Sequence, residues 1–479
     1  GHEVSRGAVE PTQATASGAA GKRDVAAWRE VDRRVSWHPF TQMRAWGDEA
    51  FPVIAAADGN WLIDADGRRF LDGVSSLWCA LHGHRVAEID VAVRAQLDAV
   101  AHSTLRGLGG VPSIALAEQL LEVAPAGLSR VFYSDSGSTA VEVALKMAFQ
   151  ACRQREGQAS RRTRFLCLRD AYHGDTIGSV SVGGIDLFHA VFHPMLFEAT
   201  PLEVPRGASA AEREADVARC LAALDELLTR EGDSFAAVVL EPGVQGAAGI
   251  RVMPDGFTAA VVERARAAGL LIIVDEVATG FGRSGELFAC TREGIRPDLL
   301  CLAKGLSGGY LPLAATLASE AIYESFLGEH EDFRTFFHGH TFTGNALACA
   351  AALASLELCR RPGFLERARA LEADLRADLA PLADHPHVLE LRQYGSMVGI
   401  ELVARRGALD AKGHLQDVVP FPVARRTGHR VTLAARERGV IVRPLGDTVV
   451  LMPPLGLTAE ERAVLVRAVT EAIHEATAS

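Results

Sequence analysis

Short apolar runs recur along this chain, each ending abruptly at a polar or charged residue. The clearest occupy 131–133, 164–168, 235–240, 270–274 and 298–302. They are dominated by Val, Ile, Leu and other apolar residues and do not alternate with polar ones, the pattern of parallel strands covered on both faces. Helical stretches lie between them, so the pattern as a whole predicts a mostly parallel α/β sheet. Near the N-terminus, strands expected at 53–57 and 60–63 flank Asp58-Gly59, a hairpin signal that Asp66-Gly67 repeats. From about residue 360 the charge density rises. There a Leu/Ala/Arg/Glu helix precedes strands expected at 388–391, 397–402, 440–442 and 448–452, and a helix over 459–476 closes the chain. That alternation predicts a separate, smaller α+β unit.

In open α/β sheets, ligands bind beyond the carboxyl ends of the strands. The 270–274 run ends at Asp275, and the 298–302 run is followed by Ala303 and Lys304. One carboxylate and one amine are thus delivered to a single crevice, each followed by a glycine-rich turn. The 235–240 run also ends in a carboxylate, Glu241. Lys304 stands out by its rarity: the chain has four lysines (Lys22, Lys146, Lys304, Lys412) against forty-five arginines. Arginine keeps its proton in a protein, whereas a desolvated lysine can lose it and act as nucleophile or base. Only Lys304 lies among apolar residues and glycines; the bland alternative is a lysine snorkelling outward from a strand end. A deprotonatable lysine opposite a buried aspartate suggests pyridoxal phosphate, with the amine taking the aldehyde and the carboxylate keeping the pyridine nitrogen protonated. Mg²⁺ or a ribose hydroxyl could instead occupy the Asp275-Glu276 pair, but neither accounts for Lys304.

Other segments add candidates of weaker specificity. The 131–133 run feeds SDSGSTAVEVALKMA, where Ser136, Gly137 and Ser138 open a helix whose positive end suits an anion. Thr139 and Glu142 have the spacing of a capping box. Tyr172, in DAYHGDT, offers a face for a planar ring. Trp78, in GVSSLWCALHGH, is equally a core residue or a pocket wall, and Arg443, in VIVRPLGD, a surface residue or a bidentate carboxylate clamp.

Composition narrows the class without naming it. The 479 residues, 48% hydrophobic and 23% charged, describe a globular protein with a large core. A formal net charge of −11 argues against a general nucleic-acid surface. No apolar run reaches the length of a membrane helix, so no membrane partner is expected. The eight cysteines form no CxxC pair, which predicts small core residues of a cytoplasmic protein. The expected organisation is an unstructured tail over 1–28, an N-terminal segment over 29–84 serving the small domain and the active site, a large domain over 85–355 and a small domain over 356–479.

From Trp37 to the C-terminus the chain resembles the class III pyridoxal-phosphate aminotransferases of fold type I. The phrases DEVATGFGRSG and LAKGLSGG carry the broad class, with YHGDT, EPGVQGAAG and HGHTFTGNALACA in support. SSLW…HGH and SDSGSTAVEVALKMA are similar to the members that aminate 8-amino-7-oxononanoate. The resemblance implies a large domain with a mostly parallel seven-stranded sheet and a smaller α+β domain. It implies that Lys304 bears the cofactor, Asp275 pairs with the pyridine nitrogen, Gly137 and Ser138 hold the phosphate, Tyr172 stacks on the ring and Val277 packs its other face. Thr341 would reach the phosphate from a neighbouring subunit, making a homodimer with shared sites. Phe40, Trp78, Tyr172, Gly339 and Arg443 would face the substrates, Arg443 holding the carboxylate of 8-amino-7-oxononanoate. S-adenosylmethionine is the implied amino donor, yet many members using it have Tyr at the place of Phe40 and a Trp-Trp pair where this chain has Leu77-Trp78. Lysine therefore stands as the alternative donor. Ornithine, 4-aminobutyrate or diamine transamination, or an aminomutase, is the rival within the class, and a cofactor-free nucleotide-binding protein the rival outside it.

Overall fold

The computed structural model describes residues 24–412 and 414–478, so the tail over 1–23 lies outside the described residues. Of the segment expected to be unstructured over 1–28, the described part is helical from Val25, in a helix over Val25–Val35 capped by the Asp24 side chain on the Ala27 N–H.

The central sheet has seven strands: β1 (Leu128–Ser134), β2 (Arg164–Leu168), β3 (Ala199–Leu202), β4 (Phe235–Leu240), β5 (Leu271–Asp275), β6 (Leu299–Leu302) and β7 (Ala314–Ser319). Their spatial order is β1-β7-β6-β5-β4-β2-β3. β2, β3, β4, β5 and β6 run parallel, and β7 lies antiparallel to both its neighbours. The continuous apolar runs are explained by position: β4, β5 and β6 occupy the middle of the sheet, and every residue of β4 is buried. Helices cover the sheet, among them Gly137–Glu156, whose Ala140, Val141, Ala144 and Ala148 pack within one buried cluster with β4 and β6.

Two smaller sheets sit apart from this one. Val388–Tyr394, Met397–Leu402, Thr448–Leu451 and Arg443–Leu445 form an antiparallel sheet. The N-terminal strands Ile54–Asp58, Trp61–Asp64 and Arg69–Asp72 form a meander that Val440–Ile441 extends in parallel. The run expected at 440–442 is therefore split: its first part pairs with the N-terminal meander, and Arg443 begins a strand of the other sheet. The strands near 70 and 440 thus share a sheet. No helix among the described residues is long and apolar enough to cross a membrane, and all eight cysteines are free.

Candidate active site

β4, β5 and β6 are adjacent and parallel, so their carboxyl ends open on one side. Glu241 follows β4, Asp275 ends β5, and Lys304 follows β6 by two residues. All three line one cavity of about 750 Å³, together with Trp78, Gly137, Ser138, Tyr172, His173 and Val277. The geometry that strand ends alone predicted for Asp275 and Lys304 is present.

Each polar side chain in this cavity is held by chemistry visible around it. Asp275 Oδ1 accepts the Val277 N–H at 2.9 Å, and His173 Nδ1 donates to Asp275 Oδ2 at 2.7 Å. Burial opposes charge on His173, but the hydrogen bond and charge of Asp275, with Glu241 behind them, leave its pKa raised. The neighbouring Glu276 turns away. It is fully buried and accepts from Thr279 Oγ1, Ala289 N–H and Cys290 N–H, tying down the segment after β5. The Glu276 carboxylate is thus taken up by the segment after β5 and does not face the cavity beside Asp275.

Lys304 has a left-handed backbone, φ 44°, and so does Trp78, φ 65°. Non-glycine residues rarely adopt it unless the surroundings impose it. Lys304 Nζ sits 4.7 Å from the centroid of the Trp78 ring. Burial pushes the amine pKa down, and Asp275 opposes that only in part. A lowered pKa is what a nucleophilic or proton-carrying lysine needs.

The opposite end of the cavity is the start of the Gly137–Glu156 helix. Ser136 caps it through the Thr139 N–H, and Thr139 Oγ1 accepts from the Ser136 N–H. The capping box is therefore Ser136 with Thr139, one turn earlier than the expected Thr139 and Glu142. Glu142 instead accepts the Gly178 N–H at 2.7 Å. The reason is local: Ser136, not Thr139, is the last residue with extended backbone. Gly137 and Ser138 occupy the first helical positions, where N–H groups have no partner within the helix. A Cβ at Gly137 would lie 2.5 Å from Val277 Cγ1, so only glycine leaves this cradle open. Ser138 Oγ is held by the Thr176 N–H and hydroxyl. Phosphate at the helix start, pyridine nitrogen at Asp275 and aldehyde at Lys304 match this donor set; the residues fit pyridoxal phosphate.

Tyr172 lines the cavity, its hydroxyl donating to Asp175 Oδ2 at 2.7 Å and its ring parallel to that of His189. Phe40, Gly339, Thr341 and Arg443 do not line the cavity of a single chain. Phe40 is exposed, edge-on to Phe188, which in turn meets Tyr172. Gly339 has nothing near its Cα face, and Thr341 is exposed, its carbonyl accepting from His102 Nε2. Arg443 is exposed at its strand end, yet burial of its guanidinium pulls its pKa down, with Asp72 opposing. His173 was missed as a site residue because nothing in its local pattern distinguishes it; only the fold brings it to Asp275, 102 positions away.

A central parallel sheet with a lysine and an aspartate at neighbouring strand ends, and an anion cradle at a helix start, defines a pyridoxal-phosphate transferase. The class III aminotransferase family model matches residues 43–473, and the chain belongs to that family. The adenosylmethionine-8-amino-7-oxononanoate aminotransferase of Nitratidesulfovibrio vulgaris is 54% identical over 93% of this chain and 81% of its own length. The crystal structure of the enzyme of that name from Methanocaldococcus jannaschii is similar with a TM-score of 0.87 and 40% identity, covering 94% of this chain and 99% of that one. An amine transaminase from an uncultivated Pseudomonas species, in PLP-bound form, is similar at TM-score 0.84 and 36% identity, over 92% of this chain and 98% of its own. Membership of this family removes the reading as a cofactor-free nucleotide-binding protein.

Proposed function

We propose that this chain transfers an amino group to the ketone of 8-amino-7-oxononanoate, giving 7,8-diaminononanoate for biotin synthesis, with S-adenosylmethionine as donor. The name shared by the relatives from N. vulgaris and M. jannaschii supports the acceptor and the donor. The observation that carries the chemistry is the single cavity holding Lys304, Asp275 and the Gly137 cradle.

Pyridoxal phosphate, when bound, supplies an aldehyde that takes up amines and a ring that accepts electrons from the reacting carbon. Gly137 and Ser138 would hold its phosphate, Tyr172 and Val277 would clasp its ring, and Asp275 would keep its pyridine nitrogen protonated. His173 fixes the Asp275 carboxylate by the 2.7 Å bond to Oδ2. Lys304 Nζ, whose pKa burial lowers, takes the proton from the carbon bearing the donor amine and returns one to the acceptor carbon. Donor and acceptor use the cavity in turn, so the kinetics are ping-pong. Arg443 meets the acceptor's carboxylate at the rim.

A second copy of the chain completes the rim by supplying Thr341. The segment carrying Thr341 exposes Phe333, Phe337 and Phe342, and beside it Leu108, Val111 and Ile114 are exposed as well. His102 and Phe342 join the two segments, their rings 5.1 Å apart. An apolar face of this kind suits burial against a partner. His340 Nδ1 lies 2.7 Å from Asp135, a cavity residue, so this turn reaches the cavity wall.

Lysine as donor is favoured by Phe40 and Leu77, which lack the hydroxyl and indole of many adenosylmethionine users. Incubation of the purified protein with 8-amino-7-oxononanoate and each donor, followed by assay of the diamine, decides the matter. Product from S-adenosylmethionine supports the reading, product from lysine alone replaces the donor, and product from neither overturns the acceptor.

A further inference from the structure

Glu241 has no established task in this cavity, yet it is placed as a ligand-binding group. It is 7% exposed and lines the cavity wall. Its bonds are two: the Gly246 N–H to Oε1 at 3.0 Å and the Tyr172 N–H to Oε2 at 3.3 Å. A carboxylate can accept about four hydrogen bonds, so half its capacity is unused. No Lys, Arg or His side chain among the described residues forms an ion pair with it within 4.0 Å, whereas the buried Asp72 and Asp275 are each paired with a histidine. Asp275, one strand away, has His173.

The surroundings say where Glu241 opens. A Cβ on Gly246 would lie 3.8 Å from Glu241 Oε1 and 3.2 Å from Trp78 Cζ3, so carboxyl and indole flank the same small glycine. That indole also meets the Lys304 amine. Glu241 thus opens into the cavity that Lys304 and Trp78 also line.

We infer that Glu241 is the receptor for the ammonium group that lies one bond from the acceptor's ketone, and so selects vicinal amino ketones over plain ketones. This rests on the proposed acceptor class and adds the residue that distinguishes it. Burial holds the Glu241 carboxyl up to about 7, with the charge of His173 opposing and that of Asp275 adding to the rise, and an arriving ammonium supplies a cation at ion-pair distance. Gly246, where a Cβ would crowd Trp78 Cζ3 at 3.2 Å, leaves space between the indole and the carboxyl.

The test compares 8-amino-7-oxononanoate with 7-oxononanoate as acceptors for wild-type holoenzyme, Glu241→Gln and Glu241→Asp. Wild type should prefer the amino ketone, and Glu241→Gln should reduce that preference in kcat/KM by about tenfold or more, the size of a lost charge-assisted hydrogen bond. Glu241→Asp, which keeps the charge on a shorter arm, should retain part of it. Calorimetric binding of 8-amino-7-hydroxynonanoate and its des-amino analogue to each protein reads the same selectivity without turnover. An equal loss on both acceptors, or unchanged selectivity with a shifted cofactor absorbance, overturns the inference and makes Glu241 a cofactor-facing acid. Wild type that binds the amino analogue preferentially but forms no diamine overturns the proposed reaction and leaves Glu241 as an ammonium receptor.

Discussion

The floor of the cavity and its rim are built differently. The floor consists of Glu241, Asp275 and Lys304 at the ends of three adjacent buried strands, with His173 locking Asp275. Its parts are complete within one chain. The rim is assigned to Phe40, Gly339, Thr341 and Arg443, which sit on loops and strand ends outside the single-chain cavity. Chemistry common to a whole family belongs on the rigid floor, because a proton carrier must be placed to within a fraction of an ångström. Substrate choice belongs on the rim, where loops change without disturbing the sheet. Glu241 is the exception we infer, a selecting group set into the floor.

Changes to the floor should cost the most. Lys304→Ala should abolish turnover, by about 10³-fold or more, and bleach the yellow holoenzyme. Normal turnover by that variant would strip Lys304 of its role and erase the distinction between floor and rim. Asp275→Asn should fold normally and lose about a hundredfold or more in kcat, since it removes the charge set against the ring nitrogen. Retained activity would count against that pairing.

The floor also predicts a stability signature. The Glu241 carboxyl is raised from 4.5 to about 7, so the folded state binds the extra proton between those values. Stability contributed by this group is present below about 4.5 and is lost as pH rises through about 7, by up to about 3 kcal/mol. Denaturant unfolding of the cofactor-free protein should show that loss, and Glu241→Gln should flatten it; parallel curves would refute the shift. His173→Gln, which keeps Asp275 but loosens it, should lower kcat about tenfold with little change in KM. On the rim, Arg443→Ala should raise KM for the acceptor about tenfold and leave kcat nearly intact. A fall in kcat as large as that of Asp275→Asn would place Arg443 on the floor.

Much of the floor was legible from pattern alone. Unbroken apolar runs ending at Asp275 and Lys304 announce buried parallel strands and what they deliver, because a strand covered on both faces has no room for polar residues until it emerges. The one lysine set among apolar residues and glycines, in a chain of four lysines and forty-five arginines, was a chemical signal that needed no fold. The capping box was misplaced by one turn because Thr139 and Glu142 satisfy the spacing as well as Ser136 and Thr139 do, and only backbone geometry separates them.

By itself, then, the order of residues determined five of the seven strands, the strand ends that open on the cavity and the two side chains we assign to the reaction, since these depend on local hydrophobicity and on which groups can lose a proton. Tertiary structure alone decided that His173 locks Asp275, that Glu276 turns into the core while Asp275 faces the cavity, that the strands near 70 and 440 share one sheet, and that Glu241 forms no ion pair among the described residues. These are pairings and absences between positions far apart in the chain, and no local pattern encodes which distant groups will meet once the sheet has closed around them.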